Sequence, residues 1–434
     1  MPYFFISIFF FAWPLIVSAA PLSPAEIQIR QYITNHQSES LDFLAQLVNI
    51  NSGTENSKGV EKVGLLLEKQ FKKLGFTTTW AKEPKYMHKA ATLIARHQGK
   101  QGKHLLLIGH LDTVFSPKSS FKRFKKEGAE VSGPGVSDDK GGVVAILYAL
   151  KALANAKALD HMTITVVLTG DEEESGKPTT ISRKPLIDAA KNMDVALDFE
   201  PAVSSNQVSI GRRGITSWLI KSQGREGHSS TIFKEDTGDG AIFELARILN
   251  TMRRALGQEQ NLSVNPGIIV GGTRTQFDNS KANGQAFGKT NVVAKTALAE
   301  GDLRYLTLAQ KETAKQKIQA IVNQHLPHTH AEVTFVDGIP AMEPTENNSK
   351  LLEVYSQLSQ DLGYGPVHSF DAGLKGAGDI SYVAGMVSMN LVGLGPVGSG
   401  QHSLEEKMEI KSLEINTLRA ALLIYRLAAQ GVMH

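Results

Sequence analysis

The stretch His104–Asp112, HLLLIGHLD, decides how the rest of the chain is read. It is a short apolar run that ends in a polar, acidic cluster, and the same pattern returns three times. TITVVLTGDEE spans 163–173, VALDFEP spans 195–201 and VSMNLVGL spans 387–394. Between the first two runs lies KGGVVAILYALKALANA, 140–156, with Val143, Val144, Leu147 and Leu150 spaced for one helical face. Strands that alternate with helices predict an α/β unit with a mostly parallel sheet. In such open sheets ligands gather at the carboxyl ends of the strands, which is where these runs place their histidines and acids.

From about Gly214 to Phe335 the rhythm changes. A strand TSWLIKSQ is followed by a helix over 240–255, strands near 267–270 and 295–303, a helix over 308–324 and a strand AEVTF. That order predicts a compact α+β unit. Afterwards a helix over 350–362, the strand VSMNLVGL and an amphipathic helix over 413–427, carrying Ile415, Leu418, Leu422 and Ile424, resume the α/β character. The expected organisation is a discontinuous catalytic domain, 20–213 and 337–434, with a second domain, 214–336, inserted in it.

The whole chain has 434 residues, 41% apolar and 21% charged, which is ample for a globular core in two or three domains. Its formal net charge of +3 is too small to mark a nucleic-acid binder. Cysteine is absent, so disulfides, thiolate metal sites and cysteine nucleophiles are excluded, and any metal must be held by His, Asp and Glu. At the amino terminus YFFISIFFFAWPLIV, 3–17, is shorter than the ~20 residues of a spanning helix and is followed by the small residues Ser18 and Ala19. Residues 1–19 are therefore read as a signal peptide without the usual basic start, and the mature protein as periplasmic or secreted, with no stable hold on a membrane. The basic stretch KSSFKRFKK, 118–126, reads as a solvated loop.

The chemistry-bearing residues follow the strands. His110 and Asp112 stand two apart, so that an aspartate can fix the imidazole tautomer while the other ring nitrogen binds a metal. Asp138 and Asp139 sit in GPGVSDDKGG, just before a helix; capping explains one of them and not two. Asp171, Glu172, Glu173 and Glu174 form an acidic run whose self-repulsion calls for cations or protons. Glu200 closes another strand, and His402 lies in the glycine-rich GPVGSGQHSLEE. Nitrogen and oxygen donors without sulfur suit Zn²⁺. Five such ligands exceed what one catalytic zinc takes, whereas two ions sharing a carboxylate would use them all and leave one acid of the 171–174 run free as general base. Which of Glu172, Glu173 and Glu174 is that base is not decided by these residues alone.

HLD at 110–112, GPGVSDDKGG at 133–142, the acids 171–173, the Glu200-Pro201 step and the His402-Ser403 pair together resemble one family. It is that of the di-zinc metallopeptidases and amidohydrolases, which includes bacterial glutamate carboxypeptidase, succinyl-diaminopimelate desuccinylase and the aminoacylases. The resemblance runs from about residue 40 to the carboxyl end and looks strongest toward glutamate carboxypeptidases. It implies a zinc-exopeptidase catalytic domain with an inserted α+β lid and dimerisation domain. It makes Asp138 the carboxylate bridging two zinc ions, His110 and Glu200 the partners of one ion, and Glu173 and His402 those of the other. Glu172 becomes the general base and Asp112 the group that orients His110, with a cis peptide following the bridging aspartate. In the inserted unit the resemblance assigns His228, in GREGHSS, to the oxyanion across a homodimer, and Asn291 and Arg304 to the substrate. Gly376, in GAGD, resembles the glycine-rich stretch near the substrate carboxylate.

The implied activity is hydrolysis of a small peptide or N-acyl amino acid at the amide bond next to a free carboxylate. An aminoacylase or dipeptidase is the alternative within the family, and a non-catalytic exported binding protein is the alternative outside it. The chain also departs from the pattern. Thr273–Thr290 is longer and more polar than the usual link. Ile339 precedes Pro340 where folate-cleaving members carry a basic residue, and the stretch 202–210 lacks their lysine, leaving Arg212 or Arg213 as the nearby cations.

Overall fold

The computed structural model describes residues 21–278, 282–374 and 376–429; the segment read as a signal peptide lies outside them. In chain order the longer strands are β1 (Thr77–Ala81), β2 (Thr92–His97), β3 (Gln101–His110), β4 (Met162–Thr169), β5 (Val195–Asp198), β6 (Gly214–Gln223), β7 (Ser263–Gly272), β8 (Thr296–Tyr305), β9 (His330–Asp337) and β10 (Met389–Val392). The longer helices are α1 (Pro24–Asn35), α2 (Gln37–Val48), α3 (Ser57–Lys73), α4 (Lys140–Asn155), α5 (Gly240–Leu256), α6 (Leu308–Val322), α7 (Glu346–Asp361) and α8 (Ile410–Ala429).

One sheet has the order β1-β2-β4-β3-β5-β10, parallel from β4 to β10 and antiparallel at β1 and β2. The run HLLLIGH forms its centre because alternate residues serve opposite faces. Leu105 and Leu107 join the core shared with α4 and α8, while Leu106 and Ile108 join a smaller core with Leu186, Met342 and Ile380. Helix α4 is buried on nearly every side, not along the single stripe its spacing predicts, because α1, α2 and α8 cover the face turned from the sheet. Among the described residues no helix is long and apolar enough to cross a membrane.

The second sheet, β7-β8-β6-β9, is antiparallel throughout and carries its own core, built on Trp218, Ile220, Leu245, Ile248 and Ile318. It occupies the stretch read as the insertion. Strand β7 begins before the predicted start and runs through Pro266. It lies at the sheet edge with a register shift between Pro266 and Ile268, where a missing N–H is tolerated. The polar link 273–290 is largely a hairpin, Arg274–Asp278 against Asn283–Phe287. Helix α7 starts at Glu346, ahead of the predicted Lys350, because the Thr345 hydroxyl accepts from the Asn348 N–H and caps it.

A buried charge cluster ties the end of β4 to the turn before β10. Arg183, fully buried, donates through Nη1 to Asp171 and through Nε to Asp379, both at 2.6 Å, and Thr169 donates to the other Asp379 oxygen at 2.6 Å. Deleting one partner of such a group leaves charge buried and unpaired. Arg183→Leu is therefore expected to cost about 3–5 kcal/mol, read as a lower urea midpoint; an unchanged midpoint would show that the pairs add nothing.

Candidate metal centre

The parallel strands deliver their last residues to one edge. His110 is the final residue of β3, Asp171–Glu174 follow β4, and Glu200 follows β5. Asp138 immediately precedes Asp139 at the start of α4. His402 arrives from the far end of the chain by a small sheet. Gly398–Ser399 pairs with Lys407–Glu409, which pairs with Glu130–Ser132 just ahead of the Asp138 loop.

The five expected ligands converge. Asp138 turns one carboxylate oxygen to each imidazole: Oδ1 lies 3.0 Å from His110 Nε2 and Oδ2 lies 3.2 Å from His402 Nε2. Glu173 Oε2 is 3.2 Å from the same His402 nitrogen, and Glu200 Oε1 is 3.9 Å from His110 Nε2. Two groups of donor atoms, His110 with Glu172 and Glu200, and His110 with Asp138 and Glu173, each lie within 4.8 Å of one another. The shared carboxylate is that of Asp138, which stands between His110 and His402.

Several residues hold the ligands in place. Asp112 has left the strand, yet its Oδ1 is 3.4 Å and its backbone oxygen 3.1 Å from His110 Nδ1, which turns Nε2 toward Asp138. The same carboxylate accepts from the Thr54 hydroxyl at 2.6 Å and from the N–H groups of Glu172 and Glu173 at 3.0 and 3.2 Å. Asp112 thus orients a histidine and anchors the acidic run together. Asp139 is no cap: its side chain makes no capping bond and accepts from the His110 N–H at 3.2 Å. A Cβ at Gly142 or Gly109 would fall 2.1 or 2.7 Å from its carboxylate oxygens, so both glycines make room for it. The peptide between Asp138 and Asp139 is cis.

Sequence reasoning missed Glu406. It is buried and accepts from the N–H groups of Gly135, Ser137 and Asp138 at 2.9, 2.9 and 3.0 Å, pinning the loop that presents Asp138. Only its place four residues after His402 hinted at it. Arg212, named in the sequence only as a nearby cation, donates to the carbonyls of Gly376 and Ala377 and lies 3.9 Å from Glu200. The four expected residues of the inserted unit and its facing loop make contacts of their own. Arg304 bonds Asp302 through Nε at 2.8 Å, and a Cβ at Gly376 would lie 3.8 Å from its Nη1. His228 is exposed, bonds Ser230 and stands next to Asn291, whose carbonyl accepts from Ser229 N–H at 2.9 Å.

The electrostatics explain why this cluster wants cations. Burial, then the carboxylates of Asp379 and Glu200, hold Glu172 well above the ordinary carboxylate range, and burial also raises Glu173. Asp198 is pushed up to about 8 by burial and by Glu200. Burial works against it, yet hydrogen bonds with His110 and His402 hold Asp138 low. One buried oxygen each of Asp139 and Asp198 has no hydrogen-bond partner. Positive charge beside these carboxylates favours their ionised forms, and the donor set of imidazole and carboxylate fits Zn²⁺.

Comparison with known proteins gives a consistent picture. The profile of Peptidase family M20/M25/M40 matches residues 106–426, well over half of the chain. The chain is 29% identical over 407 residues to Carboxypeptidase G2 of Pseudomonas sp. (strain RS-16), covering 92% of each. Its fold resembles that of aminopeptidase PepT from Bacillus cereus ATCC 10987, with a TM-score of 0.71 and 18% identity over 90% of this chain and 99% of that one. It also resembles the Bacillus subtilis YXEP protein, described as a dinuclear metal binding peptidase from M20 family, with a TM-score of 0.62 and 13% identity over 91% and 99%.

Hydrogen bonds to Asp138 and Glu173 push His402 up to about 11, from 6.5. A base raised on folding stabilises fully below its unfolded value and loses that contribution as pH rises through the folded one. Chelator-stripped protein should therefore lose thermal stability between about pH 6.5 and 11. Zinc-loaded protein, with neutral imidazole ligands, should not show this loss; identical pH profiles in the two states would contradict the assignment.

Proposed function

Because the chain belongs to Peptidase family M20/M25/M40, we propose that it is a two-zinc exopeptidase or amidase that cleaves the amide bond next to a free carboxylate. That it hydrolyses peptide or amide bonds follows from the family; the metal, the residue roles and the position of the bond are the proposal. The observation that carries it is the Asp138 carboxylate, with one oxygen toward His110 and the other toward His402.

His110 and Glu200 would hold one ion, Glu173 and His402 the other, and Asp138 both. Two such ions polarise a carbonyl and bring the pKa of water toward neutrality. Glu172 takes the proton from the attacking water and passes it to the nitrogen of the leaving amine, which departs as the C–N bond breaks. Its environment suits the work, since burial and neighbouring carboxylates favour its protonated form and bound cations favour the ionised one. Asp112 keeps the Glu172 N–H and the His110 ring in register. Arg304, whose Nη1 lies near Gly376, grips the substrate carboxylate.

His228, exposed and joined to Asn291 through local backbone bonds, suits a homodimer in which it stabilises the oxyanion in a partner's site. The apolar run 3–17 supports an exported enzyme.

Glu172→Gln is expected to lower kcat by roughly two to four orders of magnitude with bound zinc nearly unchanged by elemental analysis. Loss of zinc along with activity would move Glu172 from base to ligand. Chelation should abolish turnover of the native enzyme and added Zn²⁺ restore it; full activity in metal-free protein would end the proposal.

A further inference from the structure

A cavity of about 690 Å³ lies beside the residues that follow Glu173, between the two sheets' units. Its apolar lining is Tyr86, Met87, Tyr382, Ile215 and Ile339, beside polar groups that include Lys89, Glu174 and Ser217. The two isoleucines adjoin each other, since the Ile339 carbonyl accepts from the Ile215 N–H at 2.9 Å. Along β6 the residues Thr216, Trp218 and Ile220 are buried and Ile215, Ser217 and Leu219 are less so. Ile215 therefore lies on the face turned away from Trp218 and the core of that unit.

Register connects this face to the proposed carboxylate grip. Arg304 on β8 is directly opposite Ile215 on β6. Directly opposed residues share a face with Cβ atoms about 5 Å apart. In an amino acid the carboxylate and the side chain leave the same α-carbon. A residue whose carboxylate meets Arg304 therefore has its α-carbon on the face shared with Ile215, with its side chain in reach of the cavity behind it.

The charged groups of the cavity are Lys89, Lys177 and Glu174. Lys89, its inner cation, is only 11% exposed and is paired with Glu174 at 3.0 Å. Lys177 is exposed at the rim. A carboxylate driven against Met87, Ile215 and Ile339 would lose its hydration without a free buried partner, whereas an aromatic or aliphatic group would gain from the same burial.

We infer that this cavity receives the side chain of the substrate residue whose carboxylate Arg304 holds, and that this side chain is apolar, not acidic. The inference rests on the reading above and names the leaving residue that reading left open. It places Ile339, Ile215 and Tyr382 as determinants of specificity.

The test is a series of N-acetyl amino acids ending in phenylalanine, leucine, glutamate and lysine, assayed with zinc-loaded wild type, Ile339→Arg and Ile339→Leu. Wild type should favour the phenylalanine and leucine substrates over glutamate by about tenfold or more in kcat/KM. Ile339→Arg should erase or invert that ratio, chiefly through KM, while Ile339→Leu keeps it. Ile215→Arg on the adjoining strand gives the same readout if Ile339→Arg does not fold by circular dichroism. A wild type that prefers glutamate, or arginine variants that lower all four substrates equally, would overturn the specificity inference and leave the hydrolase reading standing. Failure of loaded wild type on every substrate would overturn both.

Discussion

A single carboxylate shared by two imidazoles organises the molecule. Asp138 is nearly buried, yet each of its oxygens meets a different histidine, one from the first third of the chain and one from its end. Around it Glu172, Glu173, Glu200, Asp139 and Asp198 crowd negative charge into a space from which water is largely excluded. Such an arrangement is costly without compensating cations. The fold tolerates it because strand ends, a helix start and a small sheet all present their side chains to one point.

The parts that hold this point together are charged as well. Glu406 spends its carboxylate on three N–H groups of the Asp138 loop. Asp112 serves His110 with one side and the Glu172–Glu173 backbone with the other. Arg183 spans Asp171 and Asp379 and so ties the base loop to the turn after the glycine-rich stretch 376–378. Each satisfies groups that would otherwise be buried without partners. Preorganisation of this kind keeps a catalytic group in its working geometry before substrate arrives.

Much of this was legible in order. HLLLIGHLD, TITVVLTGDEE and VALDFEP announced strands ending in acids, and their apolar runs became β3, β4 and β5. The switch of rhythm at Gly214 marked where the second sheet begins. The acidic run was visible, but its members differ only by one residue in register, and spacing alone did not separate Glu172 from Glu173 or Glu174. Glu406 and Arg183 were not legible, because an acid in a polar loop and an arginine before a helix look like surface residues until Gly135, 271 residues from Glu406, and Asp379, 196 residues from Arg183, are brought to them.

Residue types and local spacing determined the kind of chemistry: oxygen and nitrogen donors without thiols, placed where strands end. They also determined the alternation of elements, since hydrophobic period is a local property of the chain. Only the tertiary structure decided which oxygen of Asp138 faces which histidine, that Asp139 serves the His110 backbone in place of a helix cap, and that Arg304 lies across from Ile215, which lines a cavity of mixed apolar and charged groups. Those outcomes depend on strand register and on contacts between residues far apart in the chain, which no local pattern encodes.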